Sequence, residues 1–175
     1  MIMRNSRRHV FAWSIAALCA TACDFAQTDV ALRRPLRRSA GPVLSEKFSV
    51  RYTGSYAVSL EFPWPIEDAE VATLVNQAAA YSKSESASTV FDFSWEVRES
   101  DRLIAEGSGR KGPSGVVDTS DSGLGGGPPK TRALAFGKFN ARKGGEYTLR
   151  FTAGSEFGRV AGALPILKVE HWPPM

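Results

Sequence analysis

Alternation of apolar and polar residues at a period of two constrains this chain more than any other feature. Phe48, Val50 and Tyr52 alternate with Ser49 and Arg51, and Tyr56, Val58, Leu60 and Phe62 alternate with Ala57, Ser59 and Glu61. The same spacing recurs in Phe91, Phe93, Trp95 and Val97, and again in Tyr147, Leu149 and Phe151. Successive side chains on a strand point to opposite faces, so each segment predicts a strand with one face on a core and one in water. Shorter candidates cover 102–106, 131–140 and 163–170. One-sided burial in about seven strands predicts an antiparallel β-sandwich.

One helix is predicted over about 67–82, where Val71, Leu74, Val75 and Ala78 follow helical spacing. Glu67, Asp68 and Glu70 sit at the positive end of its dipole. Phe62-Pro63-Trp64-Pro65 stops the strand before it, and the helix is expected to cover one open end of the sandwich. Around Gly54 the chain needs either a bend or bulged turn, which keeps both apolar sets on one face, or a crossing between sheets. The bend is the simpler expectation.

Lys143-Gly144-Gly145-Glu146-Tyr147-Thr148-Leu149 resembles the tyrosine corner of immunoglobulin-like and fibronectin-like sandwiches, where the hydroxyl ties a turn to the backbone. Leu164-Pro165-Ile166-Leu167-Lys168-Val169 looks like the closing strand of such a domain. The expected fold is therefore mainly β: an immunoglobulin/fibronectin-like antiparallel sandwich with one inserted helix.

The N-terminal segment reads as an address. Arg4, Arg7 and Arg8 precede an apolar run of 13 residues, Val10 to Ala22, too short for a bilayer core that takes about 20 helical residues. Ala20-Thr21-Ala22-Cys23 then matches a lipoprotein cleavage site, although Ala20 stands where such sites usually carry leucine. Cys19 is disfavoured because bulky Leu18 precedes it. Residues 1–22 are thus expected to be a signal peptide, Cys23 a palmitate-bearing lipid attachment site, 23–46 a flexible basic tether and 47–172 the sandwich domain. Ordinary cleavage after Ala22 is the alternative, and it would leave a lone thiol in an oxidising compartment. Ser6-Arg7-Arg8-His9-Val10-Phe11 resembles a twin-arginine motif, though paired arginines are common in general secretory signals. Asp24 favours retention at the inner membrane, with the outer membrane left open.

Charge has to be read by segment. The chain carries a formal +4, but three arginines lie in the leader and Arg33, Arg34, Arg37 and Arg38 crowd the segment after it. From Gly41 onward 15 Lys and Arg face 16 Asp and Glu, so the body offers no basic footprint for nucleic acid. The arginine cluster suits either anionic lipid headgroups or a solvated linker. With Cys19 removed and Cys23 acylated, no thiol remains for a disulfide, a metal or a nucleophile.

Chemistry-bearing motifs are sparse. The segment from Gly107 to Lys130 holds eight glycines and three prolines, which predicts a long loop, disordered or functional. Gly107-Ser108-Gly109-Arg110-Lys111-Gly112 spells the dinucleotide fingerprint, yet Pro113 follows where a phosphate-holding helix must begin. Arg110 and Lys111 stay as binding-loop candidates for an acidic partner, and Trp64 as a rim anchor for a sugar or protein. Trp64 packed on the helix is the plainer alternative. Past the leader there is one histidine, His171, which reads as a frayed terminal residue with no Gly-x-Ser-x-Gly elbow to serve. Asp92 and Glu96 share a strand face at ~13 Å, too far apart to act as a hydrolytic pair and consistent with solvated outer charges. Asp118 and Asp121 read as hydrated loop carboxylates rather than calcium ligands. No metal, cofactor or catalytic constellation is expected.

From the cleavage site through Phe62-Pro63-Trp64-Pro65 to the Gly-Glu-Tyr strand, the chain is similar to small uncharacterised proteobacterial lipoproteins with a single sandwich domain. That resemblance implies an envelope location and carries no catalytic residue across. The expected function is a lipid-anchored, non-catalytic module facing the periplasm and binding a protein or glycan. The alternatives are an immunity-type lipoprotein that neutralises a periplasm-delivered toxin and, more remotely, an envelope hydrolase built on Asp92 or Glu96 beside another carboxylate in a cleft.

Overall fold

The computed structural model describes residues 29–36, 43–80, 91–111, 113–119, 130–155 and 157–172. Among the described residues nine strands and two α-helices follow in chain order: β1 (Val30–Pro35), β2 (Val43–Ser49), β3 (Gly54–Pro63), α1 (Ala69–Ala80), β4 (Phe93–Glu99), β5 (Arg102–Ser108), β6 (Gly115–Thr119), β7 (Thr131–Ala141), β8 (Glu146–Ala153), α2 (Phe157–Ala161) and β9 (Ile166–Trp172). They form a five-stranded sheet, β1-β9-β3-β7-β6, and a four-stranded sheet, β2-β8-β4-β5, all antiparallel.

The sandwich expected from the alternation is what forms. Its connectivity is not immunoglobulin-like. β1 pairs with β9, β2 with β8, β3 with β7 and β4 with β5, as though one long hairpin had been wound around a barrel. That is the winding of a jelly roll. An immunoglobulin-like chain sets its first two strands side by side, whereas here β1 and β2 lie in opposite sheets. At residues 50–53 the chain accordingly crosses between sheets instead of bending back on one face.

The strand count exceeds the expected seven because two strands carry little alternation. β1 falls inside what reads as the flexible tether of 23–46, and Asp29 just before it is buried. The sandwich therefore includes Asp29 and β1, upstream of residue 47. β6 falls inside the glycine-rich segment 107–130, which is a loop only in part; it pairs with β7 from Gly115↔Ala135 to Thr119↔Thr131.

The apolar faces meet as their period dictates. Tyr56, Val58, Leu60 and Phe62 of β3 are at most 1% exposed, and they share one core with Phe93, Trp95 and Val97 of β4 and Tyr147, Leu149 and Phe151 of β8. Each fully buried side chain of this size contributes about 1.5–3 kcal/mol. Aromatic contacts run through both halves of the core: Phe48 stacks on Tyr147 at 5.6 Å, and Phe93 lies 4.9 Å from Phe151 and 4.8 Å from Phe136. Trp95 is seated between Gly107 and Gly137, where an added Cβ would come within 2.7 and 2.4 Å of its ring.

The two ends of the sandwich differ. One end, the helical end, is closed by α1, whose Val71, Val75 and Ala78 enter the core as expected from their spacing. Asp68 caps this helix, its carboxylate accepting the Glu70 and Val71 backbone N–H groups at 2.9 and 3.1 Å. Phe157 and Val160 of α2 pack beside it, and Arg159 pairs with Glu70 across the two helices. The other end, the loop end, is made of the 50–53 crossing, the β4–β5 turn and the β7–β8 turn.

Candidate functional site

The loop end holds a buried polar cluster, built around Asp29 where the described chain enters the fold. The Tyr56 hydroxyl donates to Asp29 Oδ2 at 3.0 Å, and the Tyr52 carbonyl stands 3.2 Å away as a second acceptor for the same proton. Asp29 Oδ2 also accepts the Arg51 backbone N–H at 3.1 Å, and the Asp29 carbonyl accepts the His171 N–H at 2.8 Å. Burial pushes the Tyr56 hydroxyl up to about 12, and the Asp29 carboxylate adds to that effect.

His171 is not frayed. It lies in β9 opposite Tyr56 of β3, and its ring packs edge-on against the Tyr56 ring at 5.2 Å and against Tyr52 at 5.9 Å. Gly54 makes this possible, since a Cβ there would stand 2.6 Å from His171 Nε2. A phenol whose pKa is raised this far stays protonated at neutral pH, so its hydroxyl serves as the donor that helps fasten the chain where it enters the fold.

The neighbouring turns are tied together by main-chain bonds. Gly144 N–H donates to the Val50 carbonyl at 2.9 Å, and Lys143 N–H to Thr53 Oγ1 at 3.0 Å. The Arg142 N–H donates to the Tyr147 hydroxyl at 2.9 Å, which is the corner contact expected from the Gly-Glu-Tyr segment, here set in a jelly roll. Arg102 and Arg142 share the Glu99 carboxylate and hold it below the usual carboxylate range. Beside them lies an open depression of about 420 Å³ lined by Lys47, Phe48, Ser49, Ser100, Glu146, Tyr147 and Thr148. One cation, one anion and four hydroxyls make it a hydrogen-bonding surface.

The binding-loop candidates gather at the helical end. Arg110 lies in a 3₁₀ turn, Gly109–Lys111, and donates to Asp92 Oδ1 at 2.8 and 3.1 Å. Lys111 follows in the same turn. The glycine-rich fingerprint thus continues β5 and opens no α-helix. Trp64 packs against the core with the Arg132 guanidinium 4.3 Å above its ring, and Arg132 in turn bonds Asn76 of α1. Near Trp64, Leu164 is 61% exposed and takes φ 51° in the α2–β9 connection.

Glu96 does acquire a carboxylate neighbour, because the register sets it opposite Glu106. Glu106 is exposed, and Glu96 is held by Arg98 at 3.3 Å and approached by Arg150 at 3.9 Å. Among the described residues no group of three or more His, Cys, Asp or Glu is placed to hold a metal, and no helix is long and apolar enough to cross a membrane. Asp118 falls on β6 and Asp121 outside the described residues. Cys23, Arg37 and Arg38 also lie outside them.

Sequence reading missed a second charged cluster, on the outer face of the five-stranded sheet. Lys168 Nζ lies 3.2 Å from Glu61 and 2.7 Å from Glu170, and Arg33 reaches Glu61 at 2.7 Å. Arg34 meets Glu46 at 3.1 Å, bridging β1 and β2 across the open side of the sandwich. Two arginines of the basic cluster are therefore spent on carboxylates of the domain itself.

No protein-family profile matches this sequence, and no curated protein matches it. The crystal structure of a Sulfurospirillum deleyianum protein aligns over 85% of this chain and 99% of its own length, at 10% identity and TM-score 0.48. That of pika GITRL aligns over 82% and 99%, at 11% identity and TM-score 0.28.

Proposed function

We propose that this chain is a lipid-anchored, non-catalytic binding module at the cell envelope, held through Cys23 and presenting its helical end to a periplasmic protein or glycan. The observation that carries the reading is Leu164. A leucine that is 61% exposed at φ 51° combines an apolar side chain left in water with backbone that costs an L-residue about 1–3 kcal/mol. Such a residue persists where its surroundings or its use require it. Trp64, Arg132 and the Arg110–Asp92 pair surround the same end, supplying an aromatic face and charge for a rim. The leader residues and the cleavage-site pattern ending at Cys23 support the anchor.

A photoreactive benzoylphenylalanine placed at Leu164 in the membrane-bound protein tests the reading. An adduct from that position, and none from the same residue placed at Glu106 on the outer sheet face, is the expected result. Equal labelling at both positions, or none at Leu164, would overturn it. For the anchor, Cys23→Ala should release soluble protein and abolish acyl labelling; a wild-type protein carrying no acyl group refutes that part.

A further inference from the structure

The position of Asp29 limits how the domain can stand on a membrane. Asp29 is only 9% exposed and is fixed by Tyr56, by the Arg51 N–H and by the His171 N–H. Just five residues, 24–28, separate it from Cys23. Fully extended chain covers ~3.3–3.6 Å per residue, so a sulfur at Cys23 lies within about 20 Å of Asp29. Strand β3 runs the length of the sandwich, and ten residues at strand rise measure about 33 Å. A tether of that reach cannot seat the helical end on the bilayer. It can seat the loop end.

The loop end also carries the charge for such a contact. The Arg51 and Arg142 side chains are 83% and 75% exposed, and Lys143 is exposed between them on turns that bond to one another. Asp29, which Arg51 approaches at 3.9 Å, is buried, while Glu99 is shared by Arg102 and Arg142. Asp101 and Glu146 are the exposed acids of this end. We propose that the loop end docks on anionic lipid headgroups through Arg51, Arg142 and Lys143, holding the helical end toward the periplasm. The proposal rests on acylation of Cys23, and it replaces a long spacer by a domain standing directly on the membrane surface.

Acylated protein reconstituted into vesicles of phosphatidylglycerol in phosphatidylethanolamine provides the test. A fluorophore on Asp101→Cys should be quenched by headgroup spin labels, and one on Gly158→Cys of α2 should not. Replacing phosphatidylglycerol by phosphatidylcholine, or making the Arg51→Gln, Arg142→Gln and Lys143→Gln variant, should weaken the docked state about fivefold per cation lost. Equal quenching at both labels, or docking indifferent to lipid charge and to the variant, overturns the orientation while leaving the anchor intact. Mass spectrometry of the same preparation keeps the two apart, since an unmodified Cys23 removes the anchor itself.

Discussion

The hydroxyl of Tyr56, at the loop end of the core, donates to the carboxylate of Asp29, the residue through which the chain enters the fold, at 3.0 Å. Both groups are buried, so neither can exchange its partner for water. Tyr56→Phe should cost about 1–3 kcal/mol, because it leaves a buried carboxylate short of a donor. Urea unfolding monitored by tryptophan fluorescence measures that loss. The pH dependence follows from the raised folded-state value. The unfolded phenol ionises near 10 and the folded one near 12, so this stabilisation is complete below pH 10 and disappears as pH climbs to about 12. Tyrosinate absorbance should show one late-titrating group, absent in Tyr56→Phe.

Acid should act through Glu61. Burial on its own would raise this carboxyl, yet the Arg33 hydrogen bond and the Lys168 ammonium outweigh it and hold the group below the usual carboxylate range. A depressed folded-state value gives stability that is present above the unfolded value of 4.5 and is lost as pH falls through the folded one. Glu61→Gln should cost roughly 1–3 kcal/mol at neutral pH and flatten the acid limb of the stability curve. A variant whose acid limb matches wild type would refute the assignment.

Gly137→Ala should destabilise by about 1–3 kcal/mol, since its Cβ would lie 2.4 Å from Trp95 Cζ2 in a ring already held from the other side by Gly107. The change should also shift the emission of Trp95. Unaltered stability together with unaltered emission would show that the seat can widen.

Ser59→Ala should be neutral or stabilising, by up to about 1 kcal/mol. Ser59 is 1% exposed and its hydroxyl has no hydrogen-bond partner among the described residues, so its removal deletes an unmet desolvation cost. A clear loss in thermal melting would point to a partner for that hydroxyl.

What was legible in the sequence was what alternation encodes. Tyr56 to Phe62 and Phe93 to Val97 alternate because one face of each strand meets the core. Alternation does not say which strands become neighbours, so the jelly-roll winding was invisible. β1 escaped notice because Val30-Ala31-Leu32 runs together, a register irregularity falls between Val30 and Leu32, and no residue from Val30 to Pro35 is fully buried. His171 read as terminal because the chain ends soon after it, whereas the register with Tyr56 makes it part of the central packing. Glu61 sits at a polar position of its strand and looked solvated. Its burial comes from β3 being the central strand of five, and from Lys168 and Arg33 on strands far apart in sequence. The site residues read from motifs fared differently: Trp64 and Arg110 were found at one end, but already engaged with Arg132 and Asp92.

The pairing of the first strand with the last also sets the order of events at birth. Val30–Pro35 hydrogen-bonds within this sheet only to Ile166–Trp172. A polypeptide emerging amino end first has nothing to zip that segment against until nearly the whole message has been read. Contacts so distant along the chain make closure slow. A protein laid out in this way keeps its opening strand waiting until its last one has been made.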